Sequence, residues 1–221
     1  MAAYDALSRH KRAGQSFSDV IKAHFASGGV GADLLAAARQ VRVDGDTLEI
    51  SGQRIRIEGI DAFEKAQTCL DAKGREWSCG MAGRDLLSQL AAGIKVRCTG
   101  KAYDDYGRLL ADCYAGDLNL GQTMVDKGLA VAFIKYTDTY AARERLARNN
   151  GIGVWSGSFL PPAEFRARQW AATTGTAQGD CPIKGNISDS GRIYHMPYSE
   201  NYADTQINTA RGERWFCSEA D

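Results

Sequence analysis

The chain has 221 residues, 44% hydrophobic and 24% charged, with 27 basic and 27 acidic side chains and a formal net charge of zero. That balance excludes a disordered or fibrous chain and leaves apolar material for one well-buried domain plus appendages. No apolar run approaches the roughly 20 residues that cross a bilayer, so no membrane partner is expected, and any phosphate chemistry must rest on locally placed arginines rather than on a global positive field.

Residues 1–40 read as a helical extension. Ser16-Phe17-Ser18-Asp19 is placed to cap a helix carrying Val20, Ile21, Ala23 and His24 that ends at Gly28-Gly29, and a second short helix is expected through "ADLLAAARQ". Strand signals follow in "QVRVDGDTLEI", "QRIRIEGID", "IKVRC" and "LLADCYA". Asp44-Gly45 among branched residues is a strong hairpin signal. Between and after these strands lie three helical stretches: "CGMAGRDLLSQLAAG" with Ser78 as cap, Leu86, Leu87 and Leu90 on one face and Gly93 as terminator; "LNLGQTMVDKG" with Asn119 as cap and Gly128 beyond its end; and "TYAARERLARN" with Thr139 as cap. Uneven strands with helices inserted late indicate an α+β fold, a small antiparallel barrel with helices packed at one end.

The predicted boundaries are an extension over 1–40, a main domain over 41–168, a Thr/Gly/Ala/Gln linker over 169–180 and a small module over 181–221 bracketed by Cys181 and Cys217. Six cysteines without a C-x-x-C pair make disulfides the leading reading, with Cys69–Cys79 closing a local loop, Cys98–Cys113 bridging two strands if these pair, and Cys181–Cys217 around the tail. Disulfides favour a periplasmic or secreted protein. The N-terminal stretch lacks the continuous apolar segment of a secretory signal, which favours the cytoplasm, and the two readings stand open. In the tail, His195 is expected to be structural, and "GERWFC" a small buried strand with Trp215 and Phe216.

Chemistry concentrates in three stretches. In "RIRI" alternation sets Ile55 and Ile57 on one face and Arg54 and Arg56 on the other, and Asp61 and Glu64 follow the Gly59 break. In "YDDYGRLLADC" a Tyr106-Gly107 turn leads into a strand begun by Arg108. In "VDGDTLEI" a second acid, Asp46, follows the Asp-Gly pair. Taken in order, "DGDT", "RIRIEGIDAFE", "DDYGRLLA", "MVDKGLA" and "GIGVWSG" resemble the staphylococcal nuclease, or thermonuclease, family of calcium-dependent phosphodiesterases, from about Val41 to Arg166. The resemblance implies a five-stranded OB-type barrel with three helices and an endonuclease acting on DNA and RNA, single strands preferred, with 3′-phosphate products. It implies that Asp46, Asp61 and the Ala62 carbonyl hold Ca2+, that Glu64 orients or deprotonates the attacking water, and that Arg56 and Arg108 clamp the phosphate. Asp44 would then shape the turn while Asp46 reaches the metal. Tyr106 and Tyr136 are candidates for base stacking, with Phe133 placed in the core. Phe63 departs from the proline that the family carries before its glutamate, which predicts a less stiffly aimed Glu64 unless Phe63 packs in compensation. The second reading, supported by zero net charge and Phe63, is a catalytically weak or inactive OB-type module that binds nucleic acid or scaffolds protein partners through residues 1–40 or 181–221.

Overall fold

The computed structural model describes residues 32–36, 42–173, 181–188 and 191–218. The first predicted helix, around Val20 and Ile21, lies outside them. The strands are β1 (Ala32–Ala36), β2 (Arg42–Asp44), β3 (Thr47–Ile50), β4 (Gln53–Ile57), β5 (Ile60–Ala62), β6 (Cys69–Leu70), β7 (Glu76–Trp77), β8 (Val96–Tyr103), β9 (Leu109–Ala115), β10 (Leu118–Asn119), β11 (Ala130–Ala132), β12 (Ile183–Ser188), β13 (Gly191–His195) and β14 (Arg214–Phe216). The helices are α1 (Cys79–Ala91), α2 (Leu120–Asp126), α3 (Ala141–Asn149) and α4 (Pro162–Thr173). None of the described helices is long and apolar enough to cross a membrane.

The fold is α+β, built on a seven-stranded sheet in the order β1-β8-β9-β4-β3-β2 with β10 attached to β9. Neighbours pair antiparallel except β4 and β9, which run parallel with Arg56 opposite Leu110. Among the described residues the strand path is open, from β1 to β2, so the sequence-based expectation of a closed antiparallel barrel is met only as a mixed sheet. Its inner face supplies the core: Leu48, Ile50, Ile55, Ile57, Leu109 and Ala111 are buried against Leu87 of α1 and Leu120, Met124 and Val125 of α2. The alternation read in "RIRI" holds, with Ile55 and Ile57 fully buried, Arg54 exposed and Arg56 half-buried.

Several local expectations are corrected. "ADLLA" is a strand, β1, paired from Ala32 opposite Gly100 to Ala36 opposite Val96. The backbone groups along β8 take a partner there, and that tertiary pairing overrides the helix propensity of Ala and Leu. The β2–β3 turn is centred one residue later than an Asp-Gly turn, because Asp44 pairs with Thr47 as the last strand pair. Gly45, at φ +55°, takes the left-handed position, and Asp46 is itself a turn residue. Asn119 caps α2 as expected, accepting the Gln122 N–H at 2.8 Å. Ser78 makes no side-chain cap bond to α1. Thr139 does not cap α3, whose first residue is Ala141; its hydroxyl bonds Thr137 Oγ1 at 2.7 Å instead. Helix α4, unforeseen in the sequence, extends through Thr173 and so takes 169–173 from the predicted linker.

All six cysteines are paired as Cys69–Cys79, Cys98–Cys113 and Cys181–Cys217. Cys98 faces Cys113 directly in the β8–β9 register. In the C-terminal module β12 is flanked by β13 and β14, with Phe216 buried and Trp215 half-buried. His195 pairs its Nε2 with Asn186 Oδ1 at 3.0 Å across that sheet, a structural contact. Glu213 accepts the backbone N–H groups of Asn208 at 2.7 Å and Ile187 at 3.1 Å. These bonds, with Arg211 nearby, hold its carboxyl below the usual value.

Thiol titration of the unfolded, unreduced protein should find no reactive thiol, and six after reduction. Replacing Cys98 and Cys113 together with Ala should cost about 3 kcal/mol in denaturant unfolding. A folded-state pKa depressed at Glu213 contributes stability above the ordinary value of 4.5 that is lost as pH falls through the lower folded value. Acid unfolding followed by tryptophan fluorescence should therefore lose its steepness below that pH in Glu213→Gln, and an unchanged profile would refute the assignment.

Candidate active site

The β3–β4 hairpin sets Thr47 opposite Arg56, which brings Asp46, one residue earlier, against the Arg56 side chain. Arg56 Nη1 lies 2.6 Å from Asp46 Oδ2. The chain turns at Gly59 and returns as β5, so Asp61 approaches the same guanidinium: Arg56 Nη2 is 3.7 Å from Asp61 Oδ1 and 3.4 Å from the Ile60 carbonyl. The parallel β4–β9 pairing delivers the turn before β9 to this end of the sheet. There Asp104 accepts the Tyr106 N–H at 3.0 Å and the Arg108 N–H at 2.9 Å, and takes Arg108 Nε at 2.7 Å. Arg108 Nη1 reaches Thr47 Oγ1 at 3.3 Å, and that hydroxyl donates to Asp46 Oδ1 at 3.2 Å. Both arginines thus converge on the rim around Asp46.

Glu64 joins the group through a residue that the sequence reading missed. Arg166, from α4, places Nη1 2.8 Å from Glu64 Oε1 and Nη2 3.0 Å from Asp61 Oδ2. Its position in "AEFRARQ" carries no periodic or motif signal pointing to a carboxylate. Burial raises the pKa of Asp46, with Arg56 working against the shift, and burial likewise raises that of Glu64 against the pull of Arg166. At Arg166 burial opposes the charge, but Asp61 and Glu64 outweigh it and the pKa is raised.

The aromatic candidates divide by position. Tyr106 is 51% exposed with the Arg108 guanidinium 5.2 Å from its ring centre. Tyr136 is 71% exposed and stacks at a tilt on Phe133, 4.9 Å between centroids. Phe133, expected in the core, is only half-buried and lies 5.8 Å from the Arg56 guanidinium. Ala62 is buried and pairs with Ala130 of β11. Among the described residues no three His, Cys, Asp or Glu side chains are gathered in metal-ligating geometry. A cation at this rim would have to combine the Asp46 and Asp61 carboxylates with backbone and water oxygens.

A family model described as "Staphylococcal nuclease homologue" matches residues 54–157. An Escherichia coli protein named "Uncharacterized endonuclease" is 39% identical over 140 residues, covering 59% of this chain and 85% of the relative. The chain belongs to the staphylococcal nuclease family. A second "Uncharacterized endonuclease", from Haemophilus influenzae, is 30% identical over 134 residues, 57% of this chain and 70% of the relative. "Succinoglycan biosynthesis protein ExoI" of Rhizobium meliloti is 35% identical over 118 residues, and the chain spans 61% of that protein's length.

Within the staphylococcal nuclease framework, Phe63 stands where a proline is expected and is held as a buried ring. Phe63 is 1% exposed and meets Phe159 edge to face at 5.3 Å, in a cluster with the Cys69–Cys79 disulfide and Val154. Gln67, also buried, accepts the Glu64 N–H at 3.2 Å and donates to the Leu160 carbonyl at 2.6 Å. Helix α1 begins so close to this loop that a Cβ on Gly80 would sit 1.8 Å from the Glu64 carbonyl oxygen. Gly80→Ala should therefore displace the Glu64 segment and cost about 2 kcal/mol, the scale of overpacking in a close-packed core. Chemical denaturation tests this, and a variant as stable as the parent would show that the loop yields freely.

Proposed function

We propose that the protein is a calcium-dependent nuclease of broad specificity that hydrolyses phosphodiester bonds in DNA and RNA, with single strands preferred. The observation that carries this reading is the convergence of Arg56, Arg108, Glu64, Asp46 and Asp61 at one end of the seven-stranded sheet. Endonuclease names among the relatives support it. The sheet would serve as the family's five-stranded OB-type barrel.

Substrate binding would exchange the present partners of the two arginines for phosphate oxygens. A guanidinium is planar and permanently charged, so Arg56 and Arg108 can each meet two equatorial oxygens and hold the charge that gathers there in the transition state. Glu64 accepts a proton from the water that attacks phosphorus in line. The new P–O bond forms as the bond to the 5′ oxygen breaks, and that oxygen takes up a proton, leaving a 3′ phosphate. Burial, which raises the Glu64 pKa, makes it a stronger base than a solvated carboxylate. Tyr106 and Tyr136 are exposed aromatic side chains on which a base of any kind could stack.

The donor set fits a hard cation at one point: Asp61 Oδ1 is buried without a hydrogen-bond partner, close to Asp46. Asp46, Asp61 and the Ala62 carbonyl would hold Ca2+, with waters completing its shell. Bound there, it would supply Lewis-acid polarisation of the phosphate. Three disulfides support an oxidising compartment.

Degradation of single-stranded DNA should require calcium, stop with a chelator, and fall by roughly 10²–10³-fold in Arg56→Ala, as for loss of one preorganised oxyanion donor. Absence of cleavage by the folded protein would overturn the nuclease reading and favour the scaffolding one.

A further inference from the structure

Arg166 is the charged group that the proposed chemistry leaves without a task, and its placement is specific. Its guanidinium bridges Asp61 Oδ2 and Glu64 Oε1, joining one carboxylate assigned to the metal and one assigned to the water. Asp61 has only 3% of its side chain exposed, so little water reaches it to replace a lost partner. The bridge comes from α4, outside the seven-stranded sheet, and α4 packs against β5, the strand that carries Asp61.

Charge counting gives the bridge a meaning. Asp46, Asp61 and Glu64 bring three negative charges, and Arg56 and Arg166 are the two guanidiniums in direct contact with them. Arg108 is engaged by its own acid, Asp104. One excess negative charge remains. A divalent cation added beside both arginines would leave the cluster one charge positive, whereas the same cation with Arg166 withdrawn would leave it neutral. Buried unbalanced charge is costly, so the two cations oppose each other at Asp61.

We propose that Arg166 is a built-in competitor of calcium, a resident cation that holds Asp61 and Glu64 together in the metal-free protein and sets the calcium concentration at which the site loads. This rests on the calcium reading above and adds to it the residue that tunes its threshold. The bridge also does the work of a counter-ion: without it, the metal-free protein keeps crowded carboxylates with one guanidinium fewer. Removing Arg166 should thus weaken the metal-free fold and strengthen metal binding, a pair of opposite effects that a merely structural ion pair would not produce.

Calorimetric calcium titration of the full chain at neutral pH, paired with melting curves in chelator and in calcium, tests this. Arg166→Gln should bind calcium about tenfold more tightly than the parent, within the usual range of coupling between two ligands of one site. It should melt lower in chelator and gain more from calcium. Arg166→Lys, which keeps the charge but loses the planar fork, should fall between the two and serves if the Gln variant does not fold. Arg168→Gln, which removes an exposed pair with Glu164 on the same helix, should match the parent. Equal or weaker calcium binding by Arg166→Gln would overturn the competition while leaving the calcium reading intact. No calcium binding by any of these proteins would overturn both.

Discussion

Three carboxylates gathered in a space with little water form the constraint on which the rest of this structure depends. Asp46 and Asp61 are buried and Glu64 is half-buried, and each would repel the others if left bare. Guanidiniums are suited to that problem because they are weakly hydrated, permanently charged and forked. Arg56 meets Asp46 and Asp61 from within the sheet, and Arg166 meets Asp61 and Glu64 from α4, which packs against β5. The hairpin register, the return of β5 and the packing of α4 on β5 bring these charges together.

Rigidity around the cluster comes from two separate apolar groups. The larger lies between the sheet and helices α1 and α2 and fixes β3, β4 and β9, which carry Asp46, Arg56 and the Arg108 turn to one end. The smaller holds the Glu64 segment: Phe63, Phe159 and Val154 pack around the Cys69–Cys79 disulfide, and Gln67 ties the loop to Leu160. Where the family's proline would stiffen the chain by fixing one dihedral, this chain anchors it with a buried ring. Both devices lower the number of directions in which Glu64 can point.

The C-terminal module adds little apolar material and is braced by other means. One disulfide closes it, Glu213 binds two backbone amides, and Lys184 donates to the carbonyls of Tyr202 at 2.7 Å and Thr205 at 2.8 Å. A small sheet without a large core depends on such staples. Its Glu200 also pairs with Lys65, next to Glu64, an exposed contact that contributes modest energy but sets the module beside the candidate site.

The sequence by itself determined whatever is local or periodic. Alternation in "RIRI" fixed which residues face the core, Asn119 and Gly128 marked the ends of α2, and the ordered motifs carried the family and the residues that meet at the rim. Cysteine spacing suggested Cys69–Cys79 as the closure of a short loop, whereas Cys98–Cys113 waited on the β8–β9 pairing that only the fold supplies. Tertiary structure alone decided the rest. "ADLLA" became a strand because the β8 edge offered a partner, which no window of five residues can reveal. Thr139 lost its capping role to a neighbouring hydroxyl, and the β2–β3 turn moved onto Asp46. Arg166 lies 105 residues from Asp61 and 102 from Glu64 along the chain, and only the packing of α4 on β5 turns an ordinary helix arginine toward them. Long-range electrostatic pairing leaves no local pattern, because the energy that selects it exists only once distant segments share one buried space.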